Sequence, residues 1–153
     1  MGMSMTIHPT RDESAIRAEL EAWSESIRHK DVEGVLSHFA DQTVRFFLAP
    51  PLETETPLRD NLESWFRTFN GNLCYEIRQL VVTESAGLAC TNSLNRITGT
   101  KQDGQKTNLW FRQTLVLRFI EERWRIIHIH ESVPFYMDGT YRAAADLQPT
   151  SLG

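Results

Sequence analysis

The hydrophobic period of this chain changes once, near residue 72, and that change limits the folds open to it. Before it, apolar residues recur at spacings of three and four, the repeat of an amphipathic helix. After it they alternate, the repeat of a strand with one buried face. Helices first and long strands afterwards, in 153 residues, describe one α+β domain around one core.

The local signals agree with that division. Thr10 and Glu13 are spaced as a capping box, and Ile16, Leu20, Trp23 and Ile27 then form one apolar stripe. Glu19, Glu21, Glu25 and Arg28 fall on the wet side. Asp31 can cap a second, shorter helix with Val32, Val35, Leu36 and Phe39 facing inward. The β-branched and aromatic run Thr43 to Leu48 predicts a strand that Ala49-Pro50-Pro51 ends. Pro57 suits the first position of a third helix, with Leu58, Leu62, Trp65, Phe66 and Phe69 on its buried face. Four long strands are predicted next, over Leu73–Glu84, Leu88–Lys101, Lys106–Ile120 and Arg123–Val133. Asp103-Gly104 and Glu121-Glu122 are the turns of the last two hairpins. Short connections make these strands antiparallel. Residues 1–10 read as a flexible leader, 11–135 as the domain and 136–153 as a polar tail, with a short helix near Arg142–Leu147.

Charge and composition exclude several classes of function. A net charge of −4 gives no electrostatic reason to bind nucleic acid or an anionic membrane. No apolar run approaches the ~20 residues of a membrane helix. The first residues lack the basic start and apolar centre of a secretory signal. Cys74 and Cys90 lie in apolar stretches and read as two buried free thiols, which fits a cytoplasmic location. Glycines are scattered at turns, so no phosphate-binding loop is expected.

Alternation assigns faces within the strands. Leu109, Phe111, Gln113, Leu115, Leu117 and Phe119 form the more apolar set and belong under the helices. In the last strand Ile127 and Ile129, then Glu131, join that inner face. Trp124, Ile126, His128, His130 and Ser132 fall on the other. A bulge would exchange the two faces and bring His130 inward. The outer face combines Trp110, Trp124, Thr114 and Val116 with Arg112, a mixture suited to a homodimer contact or to cover by the C-terminal tail.

Two segments carry a resemblance. Asp31-Val32-Glu33-Gly34-Val35-Leu36-Ser37-His38-Phe39-Ala40-Asp41 resembles the D-hydrophobic-E-G…F-A-D segment of ketosteroid-isomerase-like and SnoaL-like proteins. Arg112-Gln113-Thr114 with Trp124 to Pro134 resembles the R-x-T…W-x-I-x-H-x-H-x-S-x-P ending of that nuclear-transport-factor-2-like superfamily. The association domain of calcium/calmodulin-dependent protein kinase II ends similarly. The resemblance covers roughly residues 12–135 and implies a cone-shaped, cystatin-like fold, helices laid on a curved, mainly antiparallel sheet around a pocket. It implies no single chemistry, because the superfamily holds enzymes, assembly modules and binding proteins.

The steroid-isomerase chemistry is not expected here. The resemblance places that family's donor tyrosine at Trp23 and its carboxylate base around Phe46–Leu48, where no carboxylate stands. Glu131 is instead the candidate acid/base, at the end of an inward-facing row where an apolar lining would raise its pKa; a solvated rim carboxylate is the alternative. His130 is the second candidate. Arg96 matches a pocket arginine of the kinase domain, and either anchors a ligand carboxylate or pairs with Glu131. Leu115 stands where a further arginine of that cavity would lie. Trp23, Phe46, Trp65, Leu115 and Ile129 are expected to line the cavity. His128 and His130 share a face but lack a third ligand, so neither a metal nor any other cofactor is expected. The expectation is a pocket for a small, largely apolar molecule, either an isomerase, cyclase or dehydratase working by proton transfer, or a non-catalytic binding or assembly module.

Overall fold

A computed structural model of the chain describes residues 11–150, so the Thr10 cap and the whole expected leader lie outside the described residues. The elements follow the expected order. Helices α1 (Arg11–Arg28) and α2 (Val32–Leu36) precede strand β1 (Phe39–Phe46) and helix α3 (Leu58–Arg67). Strands β2 (Cys74–Ser85), β3 (Leu88–Thr100), β4 (Lys106–Ile120) and β5 (Arg123–Ser132) complete one sheet, in the order β1-β5-β4-β3-β2. The four long strands are antiparallel neighbours, while β1 runs parallel to β5 at the edge.

The apolar stripe of α1 makes the helix layer. Ile16, Leu20, Trp23 and Ile27 are all buried against the sheet. Full burial of such side chains is worth about 1.5–3 kcal/mol each before entropy is counted. Polar ties fix the helix along β2: Arg17 donates to the Leu80 carbonyl at 3.0 Å and Arg28 to that of Tyr75 at 2.9 Å. Glu19 is not on the wet side; it accepts from Arg123 at 3.0 Å and meets His38 Nδ1 at 2.7 Å, joining α1 to β5 and to the turn before β1. Asp31 caps α2 as expected, accepting from the Gly34 N–H at 3.0 Å. Phe39, expected at the end of α2, opens β1 and stays buried. Pro57 occupies the N-cap of α3 rather than its first turn.

Curvature comes from two bulges. In β2, Gln79 takes φ 54°, and two residues oppose one between the pairs Arg78–Leu94 and Val81–Asn92. In β5 the extra residue is Ile127: Leu117 pairs with Ile126, but Val116 pairs with His128. That shift corrects the expected faces. Trp124 and Ile126 point inward, 4% and 0% exposed, and Ile127 does not share their face. Beyond the bulge the expected frame holds, with Ile129 and Glu131 inward and His128 and His130 outward.

Two smaller expectations also change. Cys74 is exposed and Cys90 half-buried, because β2 turns Tyr75 rather than Cys74 to the core. No helix forms at Arg142–Leu147. That segment folds back instead, with Tyr136 N–H to the Arg142 carbonyl at 2.8 Å and Ala144 N–H to that of Pro134 at 2.7 Å. Ala144 is buried by this return. No helix among the described residues is long and apolar enough to cross a membrane.

Candidate functional site

The helices and the concave sheet face enclose a cavity of about 250 Å³. Its walls are mostly apolar. Trp23 and Ile27 come from α1, Leu58, Leu62 and Trp65 from α3, and Ile97 and Ile129 from the sheet. Phe47 to Pro51, the loop after β1, forms its rim. That volume sits just below the usual small-molecule range, so it suits a compact ligand.

Polar groups gather at the sheet end. Glu131 lines the cavity and lies directly opposite Gln113 across β4 and β5. Gln113 donates to Glu131 Oε2 at 2.9 Å and to the Tyr75 hydroxyl oxygen at 3.0 Å. Asn95 donates to Gln113 Oε1 at 3.0 Å and to the same tyrosine oxygen at 2.9 Å. Ser93 in turn donates to Asn95 Oδ1 at 2.6 Å. Tyr75, Asn95 and Gln113 are 3%, 0% and 3% exposed. Buried polar groups of this kind are tolerated only when partnered, and here the amides are fully used.

Burial controls the acid–base character of the pair. Removal from water pushes Glu131 up to about 7, and the Gln113 hydrogen bond only partly opposes it. Burial likewise raises Tyr75 far above the ordinary phenol value, with the Glu131 charge adding to it and the two amide hydrogen bonds opposing. Tyr75 therefore stays a neutral phenol at any physiological pH. Glu131 divides between acid and base near neutrality, the condition under which a general acid/base is most useful.

Of the residues singled out from the sequence, the fold brings Trp23, Trp65, Ile129 and Glu131 to this cavity. Leu115 is buried in the core beneath it rather than in its lining. Three others stand elsewhere. Phe46 lies on the outer face, its ring 5.4 Å from those of both His128 and His130, because β1 presents Arg45 rather than Phe46 to the interior. His130 is exposed beside it. Arg96 is also outside. Its neighbour Ile97 takes the inward position, and Arg96 meets Trp110, Asn108 and Glu76 across the outer face. It therefore neither lines the cavity nor pairs with Glu131. No group of three His, Cys, Asp or Glu side chains placed to hold a metal occurs among the described residues. A second depression of about 370 Å³, beside α1 at the β2 bulge, is lined mainly by polar and charged side chains and lacks the convergent groups of the cavity.

Sequence reasoning missed Tyr75 and Asn95, and also Asn61, which lines the cavity from α3. A signal existed for Asn95: it shares the frame of Ile97, so an amide falls in a buried row. Tyr75 similarly alternates with Leu73, which is buried.

Comparison with known proteins places these features in context. A family model described as a SnoaL-like domain matches residues 16–136. Comparison with curated proteins gives no match. Among solved structures, a nuclear-transport-factor-2-like protein of unknown function from Pseudomonas putida is 30% identical, with TM-score 0.80, over 97% of this chain and 100% of that one. A ketosteroid isomerase-like protein from Erwinia carotovora is 22% identical, with TM-score 0.68, over 80% and 96%. A protein with a cystatin-like fold from Caulobacter vibrioides is 18% identical, with TM-score 0.65, over 79% and 88%. The last two likenesses concern the fold alone.

Proposed function

The chain belongs to the SnoaL-like family, and from that premise we propose that it is a cofactor-free acid/base catalyst acting on a small, largely apolar molecule. The observation that carries this reading is Glu131, the one carboxyl among the described residues lining a cavity of about 250 Å³, with Gln113 holding one of its oxygens. Its second oxygen is available to a bound molecule. A carboxyl titrating near neutrality takes a proton from one carbon or oxygen of a ligand and returns it to another, which is the step common to isomerisation, cyclisation and dehydration. Trp23, Trp65 and Ile129 would exclude water from that step. Tyr75 keeps its proton and supports the reaction as a hydrogen-bond donor.

The test uses an enolisable bicyclic ketone, 2-tetralone, in deuterated water. The protein accelerates exchange of the α-hydrogens, and the rate rises with pH through a midpoint near 7. Glu131→Gln lowers it by about 10²–10⁴-fold, while Arg96→Ala, on the opposite face, leaves it unchanged. Exchange no faster than in buffer, or full activity in Glu131→Gln, defeats the proposal.

A second reading concerns assembly and is compatible with the first. Trp110 under Arg96, and the Phe46–His128–His130 cluster, leave the outer sheet face rich in aromatic and guanidinium groups. Such mixtures favour protein contacts. This face is proposed as a homodimer surface in the cytoplasm, with the cavities facing away from it.

A further inference from the structure

The hydrogen-bond directions around the cavity follow from one charge. An ionised carboxylate only accepts, so the group of Gln113 that faces Glu131 is its NH2. The Gln113 oxygen then faces Asn95, whose NH2 must donate to it, and the Asn95 oxygen is left for Ser93. Both amide nitrogens also point at the Tyr75 oxygen, at 2.9 and 3.0 Å. Tyr75 thus accepts twice, and its own proton has no acceptor among the described residues.

The same polarity appears on two other walls. Trp23 lines the cavity and is 3% exposed, and its Nε1–H, buried behind the cavity surface, has no partner among the described residues. An indole N–H can only donate. Asn61 of α3 also lines the cavity and accepts from Arg45 Nη1 at 3.2 Å. A guanidinium has no acceptor, so this bond fixes the Asn61 oxygen toward Arg45 and leaves its NH2 to the cavity. Arg45 is itself 8% exposed and held further by the Thr56 carbonyl at 2.8 Å. Two walls, β2 and α3, therefore each offer a donor to the cavity, a third donor stands unpartnered in α1 behind its surface, and Glu131 is the single carboxylate among the described lining residues.

We propose that this cavity selects a neutral ligand carrying at least two acceptor oxygens, such as a lactone, quinone or diketone, and that Tyr75 is the residue that sets this preference. The inference rests on the proposed function only for the place where the ligand binds. A donor left without an acceptor on ligand binding costs about 1–3 kcal/mol, so a ligand with no acceptor is rejected even when its shape fits.

The test compares two bicyclic probes of similar size by ligand-observed NMR at about pH 8.5, where Glu131 is ionised. Phthalide has two acceptor oxygens and no donor; indole has one donor and no acceptor. The protein binds phthalide at least tenfold more tightly, and the carbonyl stretch of bound phthalide moves to lower frequency. Tyr75→Phe reduces the preference by about tenfold and reverses the frequency shift, and Glu131→Gln keeps both. Equal or tighter binding of indole, or a carbonyl stretch indifferent to Tyr75→Phe, overturns the inference without need of any active variant. A clear phthalide preference in a protein that fails to exchange 2-tetralone leaves this inference standing and removes only the acid/base reading. Exchange without the preference does the reverse.

Discussion

Replacing Glu131 by glutamine tests the energetics of the cavity without knowledge of any substrate. The carboxyl is held near 7 in the folded chain against an ordinary 4.5. At about 1.4 kcal/mol for each tenfold change in proton affinity, keeping it ionised costs the fold about 3 kcal/mol. Partial access to water at the cavity mouth brings the measurable figure to about 2 kcal/mol. The sign follows from the direction of the shift. The folded state binds this proton more tightly than the unfolded chain does, so its stabilising effect is complete below about 4.5 and is lost as pH rises through about 7. Glutamine cannot ionise, keeps the shape and still offers Gln113 an oxygen. Urea unfolding of both proteins at intervals from pH 5 to pH 9 gives the difference in stability, in which every other titrating group cancels. That difference is small at pH 5, grows in favour of Glu131→Gln through pH 7 and levels near pH 8. In thermal unfolding it corresponds to about 4–8 °C at the plateau for a domain of this size. A pH-independent difference, or one that grows toward acid, refutes the placement of an ionisable carboxyl in a desolvated site.

Two further outcomes concern other parts of the fold. Gly99 faces the Phe69 ring so closely that a Cβ there would lie 2.9 Å from Cδ1, so Gly99→Ala destabilises the protein by about 1–3 kcal/mol in urea unfolding, by forced repacking of a buried ring; no loss of stability contradicts that packing. Light scattering is expected to find a dimer at micromolar concentration that Trp110→Glu dissociates, and a monomeric parent protein removes the outer face as a self-contact.

Features written in neighbouring residues were legible in the sequence. The α1 stripe, the Asp31 cap and the Glu121-Glu122 turn each depend on contacts within a few positions, and the turn residues take φ 50° and 65° as a two-residue hairpin requires. The inward direction of Glu131 was readable for a less secure reason, since counting by twos from Ile129 crosses no irregularity. Trp124 was misplaced because the same count crosses Ile127. A bulge is settled by how β5 pairs with β4, and no residue in β5 announces it. Arg96 was misassigned differently. Its likeness to a pocket arginine was local, whereas its facing is fixed by Ile97, which the core claims. The amide relay was half visible: Gln113 stood in an apolar row, but its partners lie on three other strands and only the assembled sheet brings them together.

The extra residue in β5 makes that strand unequally tolerant of changes in length. Removing Ile127 would leave Ile126 opposite Leu117 and His128 opposite Val116, so both faces would survive on a straighter strand. One residue added between His128 and Glu131 would instead turn the carboxyl out of the cavity with no substitution at all. Insertions and deletions in this strand therefore separate into those that spare the site and those that erase it, and a single peptide marks the border.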